Sequence, residues 1–207
     1  AAAGYSASST GPITVTVTCA APPVSGCTDS LALNYNSNAT VDDGSCGYPP
    51  ANDDCANAIA IACGSSATGD NTYASSNATF GGPALWYSVV GNGGDITVST
   101  CGTSFDTRLF VYDSCNASTY SAYNDDANCV PGVYSSTSTV TFTSTAGSTY
   151  YIAAAGYSSF TTTGPITVTV TCATAPVYGC TDPTALNYDS TATIDDGSCI
   201  AIVYGCT

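Results

Sequence analysis

Side-chain oxygens recur at short spacing in two segments of the sequence, residues 27–46 and 180–199. In both segments Asn or Asp residues stand mostly two positions apart and are followed by an Asp-Asp-Gly triplet. These side chains are Asn34, Asn36, Asn38, Asp42 and Asp43 in the first segment and Asn187, Asp189, Asp195 and Asp196 in the second. Because such oxygens are the ligands that Ca²⁺ prefers, we expect each segment to bind Ca²⁺ as a cofactor. The alternative is that the triplet forms only a β-turn.

Catalytic chemistry has few residues to draw on in this chain. The sequence contains no His, and Arg108 is its single cation, since Lys is missing. Ser-His-Asp triads, Cys-His pairs and Ser-Lys dyads are therefore excluded, and a P-loop needs a Lys. Paired Asp residues can hydrolyse glycosides, but here they stand in repeated, turn-like segments. We expect the chain not to be an enzyme.

The charge balance narrows the class of partner. The net charge is −14 at pH 7, so the chain cannot neutralise nucleic-acid phosphates, and anionic membrane surfaces repel it. No stretch of the sequence is long and apolar enough to cross a bilayer, and we expect no membrane insertion. The charge suits divalent cations, although solubility alone also accounts for it.

Twelve cysteines in 207 residues indicate disulfide bonds. No C-x-x-C pair occurs and His is missing, so zinc ligation is not expected. Disulfides form in oxidising compartments, and we expect a secreted protein of the extracellular space or the cell surface.

Internal repeats indicate how the chain is divided into modules. Residues 1–19 match residues 153–172 with one inserted residue, and the two copies of the short module match at a spacing of 153 residues. The predicted domains are the terminal strand of a preceding sandwich (1–19), a short Cys-stapled module (20–49), a large module (50–173), a second short module (174–200) and the start of a third (201–207). A window cut from a longer array accounts for this pattern. A strand donated to a neighbouring subunit is the alternative.

The large module has the pattern of an antiparallel β-sandwich. We predict strands at 57–63, 84–90, 95–101, 107–113, 138–144, 149–156 and 165–172, several of which alternate apolar and polar residues. The run Gly91–Gly94 predicts a hairpin between the second and third of these strands. We expect the aromatic residues to supply much of one core: Trp86, Tyr87, Phe110, Tyr112, Phe142, Tyr150 and Tyr151.

The cysteine positions suggest a set of disulfides. Each short module is expected to be closed by its two terminal cysteines, in the pairs Cys27–Cys46 and Cys180–Cys199. Of the fifteen pairings open to six cysteines, we favour Cys55–Cys172, Cys63–Cys101 and Cys115–Cys129 in the large module. Cys19 and Cys206 are expected to lack their repeat-equivalent partners within this chain.

Residues 50–173 contain a set of motifs: PANDDCANA (50–58), LWYS (85–88), Cys101 with FDT (105–107), NDD (124–126) and AGSTYYI (146–152). With these motifs the segment resembles a domain of large secreted bacterial proteins, notably of the Bacteroidota, and is similar to the pre-peptidase C-terminal family. The resemblance implies an all-β, jelly-roll-like sandwich, and such domains accompany enzymes and adhesins alike. In that fold Asp106, Asn124, Asp125 and Asp126 are expected to meet at one end and bind Ca²⁺. A solvated turn is the alternative.

The short modules resemble the Asp-rich Ca²⁺ loops of thrombospondin type 3 repeats and, more loosely, of dockerins. The triplets Asp29-Ser30-Leu31 and Asp189-Ser190-Thr191 also resemble the O-glycosylation signal of Bacteroidota. This resemblance marks Ser30 and Ser190 as glycosylation sites.

These patterns together predict a structural role. We expect a repeat unit of an extracellular filament or surface fibre, in which copies of the same units run head to tail within one long chain or a polymer. One alternative is an adhesin stalk or a Ca²⁺-dependent module that binds a glycan or another surface ligand. A second is an accessory domain of a secreted hydrolase.

Overall fold

The computed structural model describes residues 11–76, 80–130, 133–158 and 162–203. Regular structure in these residues is almost entirely β, with one short 3₁₀ helix at Cys55–Asn57. The chain divides into two compact units between Tyr48 and Pro49. No helix among the described residues is long and apolar enough to cross a membrane.

The first unit contains an isolated segment and a short module. Residues 11–19 form no strand, and all of them are exposed. In the module, β1 (Ser25–Gly26) pairs in parallel with β2 (Val41–Asp42). A disulfide joins Cys27 to Cys46, as the spacing predicts, and Cys27 is buried. This bridge replaces a hydrophobic core, which twenty residues cannot build.

The second unit contains a two-sheet β-sandwich followed by the second short module. Its strands are β3 (Ile59–Ala60), β4 (Ser65–Asp70), β5 (Ala84–Val90), β6 (Asp95–Ser99), β7 (Thr107–Tyr112), β8 (Ala122–Asn124), β9 (Ala127–Val130), β10 (Val133–Ser135), β11 (Thr139–Thr143), β12 (Thr149–Gly156), β13 (Pro165–Cys172), β14 (Tyr178–Gly179) and β15 (Ile194–Asp195). One sheet has the order β11-β6-β13-β4 and the other β3-β5-β12-β7-β8. Pairing is antiparallel in both sheets except between β3 and β5. The expected jelly-roll-like, all-β sandwich is the fold of this unit.

The core between the sheets follows from period-2 alternation. In β13 every second residue, Ile166, Val168 and Val170, is fully buried, and they pack with Leu85, Leu109 and Ile152 of the other sheet. The intervening residues of β13 are threonines that face outward. Their hydroxyls bond across the sheet, as in the 2.8 Å contact between the hydroxyls of Thr169 and Ser66. The outer face of this sheet thus carries mostly hydroxyl groups, together with a few carboxylates such as that of Asp95, which accepts a hydrogen bond from the hydroxyl of Thr143.

The aromatic residues divide between two clusters, and the expectation of one aromatic core was therefore wrong. Tyr87 and Tyr150 lie in the core between the sheets, and Phe142 packs against it. Phe110, Tyr112, Trp86 and Tyr151 instead lie on the outer face of the five-stranded sheet, where Phe80 covers them. Ala153 stands opposite both Trp86 and Phe110 in the register, and its small side chain leaves room for the two rings.

The expected hairpin at Gly91–Gly94 is also wrong. Strand β5 belongs to the five-stranded sheet and β6 to the four-stranded sheet, so the glycine-rich connection crosses from one sheet to the other. A Cβ atom at Gly94 would lie 2.6 Å from the carbonyl oxygen of Ala173, closer than a side chain allows. The glycine permits a close backbone approach at the end of the sandwich rather than a tight two-strand turn.

The disulfides of the sandwich differ from the favoured pairing in all three cases. The structure joins Cys55 to Cys115, Cys63 to Cys172 and Cys101 to Cys129, rather than Cys55–Cys172, Cys63–Cys101 and Cys115–Cys129. The cause is β4, a polar strand that the sequence pattern did not predict. Its register sets Ser65 opposite Val170, which brings Cys63 beside Cys172 at the end of β13.

The second short module repeats the first. Strands β14 and β15 pair in parallel, and Cys180 is joined to Cys199 as expected. The backbone hydrogen bond from Asn36 to Cys27 has its equivalent between Asp189 and Cys180, each of 2.9 Å. Cys19 is exposed and free. Cys206 and the other residues of 204–207 lie outside the described residues, as do residues 1–10.

Candidate metal centre

Three aspartates converge at one end of the sandwich. Asp106 directly precedes β7, and Asp125 and Asp126 directly follow β8. Because β7 and β8 are antiparallel neighbours, the start of one lies beside the end of the other. Carboxylate oxygens of the three residues lie within 4.8 Å of one another. Three of the four residues expected at this end are therefore brought together.

Asn124, the fourth expected ligand, makes a different contact. Its side-chain oxygen accepts a hydrogen bond of 3.1 Å from the backbone N–H of Thr139. This bond ties β8 to the start of β11. Asn124 therefore holds the end of β8 in place beside the aspartate group.

Arg108 is the cation of this end of the sandwich. Its Nε lies 3.3 Å from Oδ1 of Asp125, and its Nη1 donates to the carbonyl oxygen of Phe80 at 3.3 Å. The guanidinium also lies over the ring of Tyr157, 4.2 Å from the ring centroid. Burial lowers the pKa of Arg108, but the hydrogen bond and the charge of Asp125, with smaller effects of Tyr123 and Tyr157, outweigh it and raise the pKa. One positive charge thus faces three carboxylates.

Asp106 is the least well compensated member of the group. Burial raises the pKa of this carboxyl, and the charges of Asp125 and Asp126 raise it further, while Arg108 lowers it. Its Oδ1 is buried and accepts no hydrogen bond from the described residues. A divalent cation bound by the three carboxylates would supply both the missing contact and the missing charge, and the all-oxygen donor set fits Ca²⁺.

The oxygen ligands expected in the first short module are used by its own backbone. Oδ1 of Asn36 accepts from the N–H of Asn38 (3.0 Å), Oδ1 of Asp42 from Gly44 (3.0 Å) and Oδ1 of Asp43 from Ser45 (3.0 Å). These are Asx turns, in which a short side chain caps the amide two residues onward. At Asn38, the backbone N–H makes this hydrogen bond, and the side chain takes no part in it.

The second short module uses its oxygens in the same way. Asp189, Asp195 and Asp196 accept from the N–H two residues onward at 2.8, 3.0 and 2.9 Å. Hydrogen bonds from Thr191 lower the pKa of Asp189, and hydrogen bonds from Ser198 lower that of Asp196. Within the described ranges, the aspartates of neither module join a group of three carboxylates of the kind that Asp106 forms.

Asn34 and Asn187 each close their module with two hydrogen bonds. The amide nitrogen of Asn34 donates to the carbonyl oxygen of Ser45 at 2.6 Å, and its Oδ1 accepts from the N–H of Gly47 at 2.8 Å. Asn187 makes the equivalent bonds to Ser198 and Ile200 at 2.8 and 2.7 Å. These residues, expected as ligands, therefore act as clamps between the two halves of the loop.

The expected glycosylation sites are accessible. Ser30 is exposed at the tip of an Asx turn that Asp29 forms with the N–H of Leu31 at 2.9 Å. Ser190 is exposed between Asp189 and Thr191, which form the equivalent kind of turn.

The ion pair of Arg108 and the aromatic cluster on the outer face of the five-stranded sheet were not predicted from the sequence. Phe110 of that cluster packs against the ring of Tyr123 with centroids 4.8 Å apart, and Tyr120 and Tyr123 are partly exposed. A signal was present in β7, whose sequence TRLFVY carries large side chains on both faces. A strand of that kind is covered on both sides.

Comparison with known proteins adds a likeness of structure but none of sequence family. No protein-family model and no curated protein matches the sequence. Among solved structures, the chain is similar to the pre-peptidase C-terminal domain of a collagenase from Bacillus anthracis, solved at 1.0 Å. The identity is 14%, the match covers 55% of this chain and 93% of that chain, and the TM-score is 0.38.

Proposed function

We propose that this chain is a structural repeat unit of an extracellular filament or surface fibre built from tandem β-sandwiches. The observation that carries the proposal is the repetition of the short module in three-dimensional detail. Copies 153 residues apart share the disulfide, the parallel strand pair and the Asn clamp. A short module that keeps its disulfide, strand pair and Asn clamp from copy to copy can act as a regular joint between sandwiches, which suits an array in which each repeat contacts its neighbours.

The covalent framework supports an extracellular location. Five disulfides lie within the described residues, and such bonds persist in oxidising surroundings. A joint closed by a disulfide and Asx turns resists opening without a hydrophobic core. In the fibre the partners are copies of the same modules, arranged head to tail, with neither nucleic acid nor a membrane as partner.

Electron microscopy of native material tests this proposal. Extended particles with a regular axial repeat are expected, together with an intact mass that corresponds to several repeats. Isolated globular particles with a mass near 20.6 kDa would contradict it.

An adhesin stalk or Ca²⁺-dependent surface-binding module is the second candidate, and the aspartate group favours it. Three converging carboxylates with one unpartnered oxygen at the end of a sandwich are suited to hold Ca²⁺ where neighbouring loops could meet a surface ligand. Calorimetric titration with Ca²⁺ tests the metal. Binding is expected for the native chain and for Asp113→Asn, an exposed control, and is expected to be lost in Asp126→Asn. Equal heats for the two variants would remove this candidate.

A further inference from the structure

The nine residues GPITVTVTC occur twice in this chain, at 11–19 and at 164–172, and the two copies have different surroundings. In the second copy, Ile166, Val168 and Val170 are 0% exposed. In the first copy, the equivalent residues Ile13, Val15 and Val17 are 59%, 65% and 78% exposed. The sequence of the first copy is therefore that of a buried strand, but none of the described residues covers it.

The surroundings of the second copy define the position in a sandwich that the first copy would fit. Strand β13 lies between β4 and β6, with antiparallel bonding to both, and is thus an interior strand of its sheet. Its apolar side chains point between the sheets, its threonines point outward, and Cys172 is joined to Cys63. Since residues 12–19 have the same alternation and end in Cys19, they match this place in side-chain order, length and cysteine position.

The sandwich of a second complete copy of this chain cannot accept residues 12–19. Its place between β4 and β6 is filled by its own β13, and its Cys63 is already bonded to Cys172. A strand of identical sequence gains nothing by displacing one that is attached to the same chain. The acceptor must instead be a sandwich that supplies the β4 and β6 equivalents but has no closing strand of its own.

From these contrasts we infer that residues 12–19 are the closing strand of a second sandwich of the same type, one that precedes this sequence in the polypeptide. The strand inserts between the equivalents of β4 and β6, and Cys19 forms a disulfide with the equivalent of Cys63. The inference rests on the tandem arrangement of the proposed function and adds how neighbouring units are linked. Each joint would then be anchored directly to the closing strand and disulfide of the sandwich before it.

An extended chain tests the inference. A copy of residues 49–152 is joined to Ala1 of the full chain, and Ala62→Thr in the added copy marks its Cys63 peptide by mass. Cys19 is expected to change from full reaction with iodoacetamide to complete protection. Peptide mapping is expected to find it bonded to the marked peptide. Amide exchange of residues 14–18 is expected to slow to the level of residues 167–171. A reactive Cys19 with fast-exchanging amides would overturn the inference.

A second variant covers the case in which the added sandwich does not fold. In the 207-residue chain, Ile166→Ser, Val168→Ser, Val170→Ser and Cys172→Ser leave residues 12–19 as the intact copy of the strand. Cys19–Cys63 bonds between chains are expected, and adding Val15→Asp is expected to abolish them. If Cys19 and Cys63 both stay reactive, the inference is wrong. None of these readouts requires a fibre, so failure of the fibre proposal in microscopy is a separate result.

Discussion

At the scale of single residues, short polar side chains do work that is usually done by a hydrophobic core. Asn34 reaches across its module to the backbone of Ser45 and Gly47, and Asn187 does the same in the second copy. These amides are hydrogen-bonded on both their donor and acceptor sides. Neither module contains a cluster of buried apolar side chains among the described residues, so the loops depend on the disulfide and these polar bonds.

Removing the Asn34 clamp is expected to loosen the first short module alone. Asn34→Ala deletes two hydrogen bonds, each with a net contribution of about 1 kcal/mol, so local opening should become easier by about 2 kcal/mol. Amide exchange at Gly47 and Leu33 measures this opening. Asn38→Ala is the matched control, since the described bond at that position is made by the backbone. Equal exchange rates in the two variants would show that the clamp contributes nothing.

The carboxyl of Asp106 is expected to make stability depend on pH in a defined direction. Its pKa is raised in the folded state, mainly by burial and then by Asp125 and Asp126. Below the ordinary aspartate pKa of about 3.9, both states are protonated and the group has no effect. As the pH rises through the folded pKa, the folded state must ionise a carboxyl that the unfolded state ionises more easily, so stability is lost.

Asp106→Asn is therefore expected to raise the melting temperature at pH 7 in the presence of a chelator, and to leave it unchanged near pH 3. With Ca²⁺ in excess the order of the two melting temperatures should reverse, because the variant lacks one of the three carboxylates that bind the ion. At a hundredfold excess over Kd, bound Ca²⁺ stabilises the native chain by about 2.7 kcal/mol. Asp113→Asn serves as the control. A variant that is less stable than the native chain in chelator at pH 7 would contradict the assigned effect of burial.

At the scale of elements, the same nine residues occur once in a core and once in solvent. Comparing the two copies shows how much of the strand comes from the β propensity of its residues and how much from its tertiary contacts. The alternation of Ile, Val and Thr is suited to a half-buried strand. In residues 11–19 it does not produce a strand by itself, whereas β13 is a strand with two bonded neighbours. The strand therefore depends on its neighbours more than on local propensity.

A matched pair of substitutions measures this difference. Ile166→Ala is expected to lower the free energy of unfolding by about 2–5 kcal/mol, because it leaves a cavity between the sheets. Ile13→Ala changes the same residue in the exposed copy and should alter the stability of the 207-residue chain by less than about 0.5 kcal/mol. Chemical denaturation measures both values. Similar losses in the two variants would mean that residues 11–19 already pack against the chain.

The limits of the sequence reasoning lie in the same elements. Apolar and aromatic runs between turn residues located the longer strands, including β5, β7, β12 and β13, and only some of these strands alternate buried and outward residues. The same pattern missed β4, whose sequence SSATGD has almost no apolar residue and which is held by the register of β13. The missed strand made the pairing of Cys63 unpredictable, since long-range proximity is not encoded in local pattern. The glycines at 91–94 were misread because both a hairpin and a crossing connection need residues without side chains.

The candidate site, like the fold, could be predicted from the sequence only in part. The meeting of Asp106, Asp125 and Asp126 at one end of the sandwich was expected from the resemblance, but β8, the strand that places Asp125 and Asp126 there, was not predicted. The Asx turns of the short modules could not be separated from a metal loop, because both use the same oxygens at the same spacing.

Disulfide mapping is expected to give Cys55–Cys115, Cys63–Cys172 and Cys101–Cys129 in the native chain. Replacing both cysteines of a pair by Ser should destabilise the sandwich by an amount that increases with the length of the loop that the disulfide closes. Loops of 109 and 28 residues correspond to about 4–5 and about 3–4 kcal/mol if each loop is treated alone. Denaturation of the two double variants tests the order. A larger loss for the Cys101–Cys129 pair would contradict the loop-entropy account.

At the scale of the whole molecule, the surface is polar with few charged groups. Charged residues are 8% of the sequence, and all but one of them are acidic. Threonine and serine hydroxyls bond to one another across the outer face of the four-stranded sheet. Such a surface offers few cleavage sites to proteases that recognise Lys or Arg, and its net negative charge opposes aggregation between sandwiches.

The single cation makes trypsin a reporter of the unfolding of the sandwich. Arg108 lies within β7, its side chain is 22% exposed, and it is paired with Asp125. Cleavage therefore requires the strand to leave the sheet, and its rate follows the open population when opening and closing are fast. For a domain stable by about 5 kcal/mol, cleavage should be slower than in the reduced, unfolded chain by a factor on the order of 10³ to 10⁴.

The disulfides determine what the cleavage yields. Cys55–Cys115, Cys63–Cys172 and Cys101–Cys129 each join a cysteine before Arg108 to one after it. Without reductant the cut chain should keep its full mass plus one water, and with reductant it should separate into residues 1–108 and 109–207. Arg108→Gln should abolish cleavage altogether. Release of either fragment before reduction would contradict this connectivity, because any one of the three bonds is enough to hold the halves together.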